Sequence, residues 1–181
     1  MIFLRKRHYL KRIRLLHNSL GIPEGYGPER MIPVQMEAAS LVSIGPDIYQ
    51  RQQRMAPAAA LAWRKMQDAA RTDGIELQIV SAYRSVDYQA GIIQKKLENG
   101  QQIGDILRVS AAPGFSEHHT GRALDLTTPG FPVLEEEFEY SEAFSWLNRR
   151  AGSFQFRMSF PRDNPHQVAY EPWHWAWQSP G

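Results

Sequence analysis

A chain of 181 residues with 43% hydrophobic and 22% charged side chains has the balance of one folded domain with a substantial core, not of a disordered segment. It contains no cysteine, which excludes disulfides, thiolate zinc sites and cysteine nucleophiles and leaves His, Asp and Glu to hold any metal. The net charge of +2 is uneven: the first seventeen residues hold six Lys/Arg and no acid, leaving 15 basic and 19 acidic residues for the rest. A basic head on a mildly acidic body argues against a nucleic-acid-binding body.

In chain order, the head "MIFLRKRHYLKRIRLLH" lacks the uninterrupted apolar run of a secretory signal, and no window of the chain approaches the roughly 18 apolar residues of a membrane span. Tyr9, Ile13, Leu16 and Leu20 recur at helical spacing, which predicts a helix packed on its own domain or, as the sharper alternative, one resting on a membrane surface or an acidic polymer. "GIPEGYGPERMIP" (21–33) reads as a linker or irregular wrap, so residues 1–30 are expected to form a basic extension and linker and residues 31–181 the functional domain. "APAAALAWRKMQDAARTDG" predicts a helix from Ala56, with Pro57 in its first turn, Gly74 past its end and Leu61, Met66, Ala69 and Ala70 as the buried stripe. Ile75–Tyr83 alternates like a strand, and Ser85 caps a predicted helix through about Leu97.

Further on come a strand over Gly121–Thr128, a helix near Ser141–Arg150, the alternating "FQFRMSF" and the aromatic strand "PWHWAWQ". Helices interrupt about four short strands without regular βαβ alternation. The expected fold class is therefore α+β: a single domain with a small, mainly antiparallel sheet and flanking helices.

Two stretches carry chemistry, "SEHHTGRALD" (Ser116–Asp125) and "YEPWHW" (Tyr170–Trp175). On the last strand Trp173, Trp175 and Trp177 share one face and His174 the other, beside the small Ala176. Asp125 likewise shares a face with Ala123 and Thr127, opposite Leu124 and Leu126. If these strands are neighbours, His174 and Asp125 converge on the sheet face. A third ligand comes from His118 or His119, brought back over the sheet by a turn at Gly121. Spacing alone does not choose between them. Two histidines and a carboxylate make an open zinc site, and Glu171, three residues before His174, can supply a general base.

These residues resemble the D-alanyl-D-alanine carboxypeptidase group of zinc peptidases, relatives of lysostaphin-type enzymes and of the hedgehog signalling domain. The pattern Ser-x-His-x-x-Gly-x-Ala-x-Asp falls on Ser116, His118, Gly121, Ala123 and Asp125, and Glu-x-Trp-His on Glu171, Trp173 and His174. The upstream "SAYRS" (Ser81–Ser85), followed by Gln89, matches a third block. The resemblance implies one Zn²⁺ per chain on His118, Asp125 and His174, with His119 outside the set. It further implies Glu171 as catalytic base, Arg84 as the cation facing the tetrahedral intermediate, and Ser116, Tyr83 and Gln89 as substrate-pocket residues. Phe160 stands where the family often has Tyr, removing one substrate contact. His8, His17 and His166 lie outside every block and are expected on the surface.

The implied activity is hydrolysis of peptidoglycan stem peptides, first of all removal of a C-terminal D-amino acid. A stem-peptide endopeptidase and a zinc-containing module without catalysis are the alternatives. A monomer working in the bacterial envelope or periplasm follows from that activity, with the cytoplasm as the alternative in the absence of a readable signal. Every block lies beyond Ala56, so removal of residues 1–20 is expected to spare hydrolysis of small peptides.

Overall fold

The computed structural model describes residues 2–179. Four short strands form an antiparallel sheet in the order β3 (Gln78–Ser81), β4 (Ala123–Thr127), β6 (His174–Trp177), β5 (Phe156–Met158). A separate hairpin, β1 (Val42–Pro46) and β2 (Gln52–Met55), makes a second small antiparallel sheet that sequence patterning missed. The α+β expectation holds, with six α-helices around the two sheets among the described residues.

Strand alternation decides the two faces of the larger sheet. Leu124, Leu126, Trp175 and Trp177 point into the main core, where α3 (Pro57–Thr72) supplies Ala59, Trp63, Met66 and Ala70 and α6 (Glu142–Arg150) supplies Trp146 and Leu147. Burying each of these large side chains contributes about 1.5–3 kcal/mol. Asp125 and His174 are left on the other face. Pro57 begins α3 and Gly74, at φ +76, follows its end, as the sequence implies. The stripe differs: Leu61 is 57% exposed and Trp63 is buried in its place. Leu61 and Met66 are five residues apart, about 140° out of phase on a helix of 3.6 residues per turn, so they cannot share one face.

Two strands are shorter than their alternation implies. Ile75 N–H donates to Ala70 O and so belongs to the closing turn of α3, and β3 begins only at Gln78. Gln155 adopts a left-handed φ of +64 that ends a one-turn helix over Ala151–Phe154, confining β5 to three residues. Ser85 caps α4 (Val86–Glu98) by accepting from Tyr88 N–H, and Ser141 caps α6 in the same way through Phe144 N–H.

The head is α1 (Ile2–Leu20), and its apolar stripe faces the protein. Tyr9 and Ile13 pack with Val86 of α4, and Leu20 joins a second cluster with Ile22, Tyr26, Ile93 and Ile106. Tyr9 Oη donates to Gln35 O at 2.5 Å, and Arg12 pairs with Glu37 and Asp87. His17, expected on the surface, is 8% exposed, with Nε2 2.8 Å from Pro113 O. His8 is exposed and His166 half-buried, its Nδ1 3.1 Å from Arg30 O. No helix among the described residues is long and apolar enough to cross a membrane.

This packing changes the expectation for truncation. Deleting residues 1–20 uncovers Val86 and Phe115, which flank the sequence motifs, and removes four buried side chains, Tyr9, Ile13, His17 and Leu20. The deletion is expected to cost about 3–5 kcal/mol after the entropy of the lost helix is set against it. Thermal unfolding of the full and shortened chains checks this; coincident midpoints would show α1 to be an accessory.

Candidate active site

Asp125 and His174 are cross-strand partners in the β4–β6 register, which places both side chains on the face away from the core. His174 Nδ1 lies 2.9 Å from Asp125 Oδ1. His118 arrives from a one-turn 3₁₀ helix, Glu117–Thr120, just before β4. Gly121 ends that turn at φ +67, and a Cβ there would meet Ala56 N at 2.8 Å, so glycine is required for the chain to double back. The His118 ring then sets Nε2 3.2 Å from both Asp125 oxygens. One ligand atom from each of the three residues lies within 4.8 Å of the other two, and all three side chains are buried.

The outer ring nitrogens settle which atoms face inward. His118 Nδ1 is 2.5 Å from Ala82 O, and a carbonyl only accepts, so Nδ1 carries the hydrogen and Nε2 the lone pair. His174 Nε2 donates to Glu117 Oε2 at 2.9 Å, and Ser159 Oγ donates to the same oxygen at 2.6 Å. A neutral His174 held this way presents the Nδ1 lone pair to Asp125. Two imidazole nitrogens and a carboxylate, oriented by outer hydrogen bonds, suit a zinc ion.

Without a cation these acceptors need a proton between them. Burial lowers the His174 pKa, but hydrogen bonds to Asp125 and Glu117 outweigh it and raise it to about 10. Burial and the Arg84 charge instead lower His118 to about 4, against the pull of Asp125. Burial raises Asp125, yet His118, His174 and Arg84 hold it well below the usual carboxylate range. Glu117 is also lowered: its burial is outweighed by His174 and Ser159. A divalent metal held here would take the place of that proton on His174 Nδ1.

His119 has a different job. It is fully buried, its Nδ1 donates to Arg84 O at 2.7 Å, and its Nε2 accepts from Gly114 N–H at 3.0 Å. Both nitrogens are engaged by backbone, and neither is open to a metal.

Glu171 Oε2 stands 3.8 Å from His174 Nδ1. Burial raises its pKa to about 7, with Asp125 and Glu117 adding to the shift and His174 and Arg84 opposing it. That value suits a group that takes and returns protons near neutrality. Arg84 Nη2 is 3.4 Å from Asp125 Oδ2, while its Nε is buried without a partner. Gln89 and Ser116 line a cavity of about 50 Å³ together with Arg84, Glu171, His118 and His174. Phe160 lies there too, its ring centroid 5.0 Å from that of His174.

Tyr83 does not line this cavity. Neighbours in an extended segment point to opposite sides, so Tyr83 faces an adjoining groove of about 280 Å³ beside Arg54, and Arg84 is common to both. Glu117 and Ser159 are the site residues that sequence reasoning missed. Glu117 stands inside the motif, but only its one-turn helix reveals that it faces His174.

The sequence pattern of the family described as VanY: D-alanyl-D-alanine carboxypeptidase matches residues 52–180 of this chain. The chain belongs to the VanY family. It is 30% identical to the Bacillus subtilis protein YodJ over 171 residues, covering 90% of this chain and 58% of that one. It is 29% identical to a D-alanyl-D-alanine carboxypeptidase of Enterococcus faecalis over 120 residues, covering 61% of this chain and 43% of that one. The chain thus spans less than two thirds of either relative's length. Among solved structures, the LdcB LD-carboxypeptidase superposes with a TM-score of 0.70 at 30% identity, covering 80% of this chain and 71% of that one. A vancomycin-resistance D,D-pentapeptidase VanY in complex with Zn(II) gives 0.60 at 25% identity, covering 81% and 82%. The VanY match begins near β2 and leaves α1 and α2 (Tyr26–Glu29) outside it.

Proposed function

We propose that this chain is a zinc-dependent peptidase of peptidoglycan stem peptides, and specifically a carboxypeptidase that removes a C-terminal D-amino acid. The observation that carries this reading is the convergence of His118 Nε2, Asp125 and His174 Nδ1 beside a buried, near-neutral-pKa Glu171. Family membership and the zinc-containing neighbour support it.

His118, Asp125 and His174 would hold the metal, and one ion per chain fits the single cluster of this kind among the described residues. Zinc in such a site supplies a Lewis acid that polarises a carbonyl and makes water more acidic. Glu171 receives the proton of the attacking water and passes it to the leaving amine. Arg84 donates to the oxygen that gains negative charge; a single donor of this type contributes about 3 kcal/mol in comparable sites. Ser116 and Gln89 line the substrate cavity, and Tyr83 bounds the neighbouring groove, where a longer peptide would run. Phe160 contributes an apolar wall and no hydroxyl.

The reading takes residues 31–181 as the peptidase domain and residues 1–30 as a basic segment docked on it. The exposed Lys6, Arg7, Lys11 and Arg14 can add weak, salt-screened attraction to an anionic wall or membrane surface. Every site residue comes from one chain, so a monomer suffices, and the substrate places the work in the cell envelope.

Mass spectrometry of defined tetra- and pentapeptide stems incubated with the zinc-loaded protein tests this. Loss of one C-terminal alanine is expected. Two internal fragments would make the protein an endopeptidase, and intact peptide would leave a zinc-binding module without catalysis.

A further inference from the structure

One wall of the catalytic cavity is the irregular loop between β5 and β6 (residues 159–173), which brings in Phe160, Val168 and Glu171. Two of its residues hold left-handed φ angles, Asp163 at +58 and Gln167 at +53. Residues other than glycine adopt that conformation at a cost and keep it only where neighbouring structure holds them. Two fasteners do so here. On one flank Arg162 pairs with Glu136 and Glu139 and lies over the Tyr170 ring, 4.0 Å from its centroid. On the other flank Arg30 reaches in from the end of the segment docked ahead of the peptidase domain.

Arg30 Nη1 donates to Gln167 O at 3.2 Å and to Leu107 O at 2.8 Å, near the end of α5 (Ile103–Val109). The Arg30 carbonyl accepts from His166 Nδ1 at 3.1 Å. Its guanidinium lies over the Tyr26 ring, 4.9 Å from the centroid, and Tyr26 Oη accepts from Ala112 N–H at 3.2 Å. One residue therefore joins α2, the end of α5 and the far limb of the loop, where Ala169 N–H also donates to Arg108 O at 3.0 Å. Glu171 follows at once, and its N–H donates to Phe160 O at 3.0 Å, closing the loop at its neck. A tie at 166–169 thus fixes the backbone from which the Glu171 carboxylate projects. Arg30 itself does not line the cavity, but Ile32, two residues on, does. Both lie ahead of residue 52, where the family pattern begins.

We propose that Arg30 is a positioning residue for Glu171: it clamps the β5–β6 loop to α5, so that a segment outside the family pattern completes the active site. This rests on the peptidase reading and deepens it, since placement of the base depends on a residue that touches neither substrate nor metal ligand.

The test reads the loop and the chemistry separately in zinc-loaded protein. Arg30→Met should lower kcat on a pentapeptide stem about tenfold, with KM changing far less, because a displaced base harms the chemical step. Hydrogen exchange at the Ala169 and Glu171 amides should quicken about tenfold in the same variant. Arg30→Lys, which keeps a cationic donor, should retain most of both. Arg12→Met, which breaks the α1 ion pairs with Glu37 and Asp87, is the control for lost surface pairing and should leave kcat and both amides as they are. Parental kcat in Arg30→Met, unchanged exchange, or an equal loss of kcat in Arg12→Met would overturn the positioning role. Faster exchange in Arg30→Met, in a chain whose parent cleaves no stem peptide, would count against the hydrolytic reading alone.

Discussion

Glu171→Gln is expected to lower turnover roughly 10²–10⁴-fold while leaving zinc content and fold intact, because the amide keeps the shape of the side chain and cannot take a proton. Substrate affinity should change far less than turnover. Steady-state kinetics with metal analysis on the same samples checks this, and near-parental turnover would assign the proton to another group. The same substitution has an effect without metal. Glu171 titrates at about 7 in the folded chain, above the usual 4.5, mainly because it is buried. Between those values the unfolded chain has lost its proton and the folded chain keeps it, so stability falls as pH rises through this window. Metal-free Glu171→Gln is therefore expected to lose less stability between pH 5 and 8 than its parent. Denaturant midpoints at the two pH values measure the difference, and equal slopes would place Glu171 in contact with water.

The second large effect concerns adjacent histidines. His118→Ala should strip the metal, and His119→Ala should keep it, because both nitrogens of His119 are held by Arg84 O and Gly114 N–H. His119→Ala leaves those backbone groups buried and unpaired and is expected to cost about 1–3 kcal/mol of stability instead. Glu117→Ala frees the outer nitrogen of His174 and should weaken zinc binding about 10–100-fold, the usual effect of removing such a partner. Zinc competition titrations separate the three. Equal losses from His118→Ala and His119→Ala would break the ligand assignment.

The convergence of Asp125 and His174 was legible in the sequence because strand alternation has a period of two, and one apolar face on each strand fixes the other. The choice between His118 and His119 was not legible from spacing. Both are buried in one 3₁₀ turn, and only the backbone atoms around each ring separate ligand from structural residue. Resemblance to the family supplied that choice, and the hydrogen bonds of His119 give its physical reason. Glu117 and Ser159 stayed hidden because only the fold brings them to each other and Glu117 to His174. Leu61 shows the limit of an apolar count: a helix buries residues by phase, and Trp63 fixes the phase of α3. The docking of α1 was half legible, as a stripe without an address. Its contacts with Val86 and Gln35 depend on chain far away in sequence.

The most direct measurement is a zinc titration of the chelator-treated protein, with release of the terminal alanine from a stem peptide followed at each addition. Activity is expected to be absent at the start, to rise in proportion to zinc, and to saturate at one equivalent per chain. Activity that survives complete removal of metal, or that begins only after a second equivalent, would contradict a single zinc on His118, Asp125 and His174 as the centre of the chemistry.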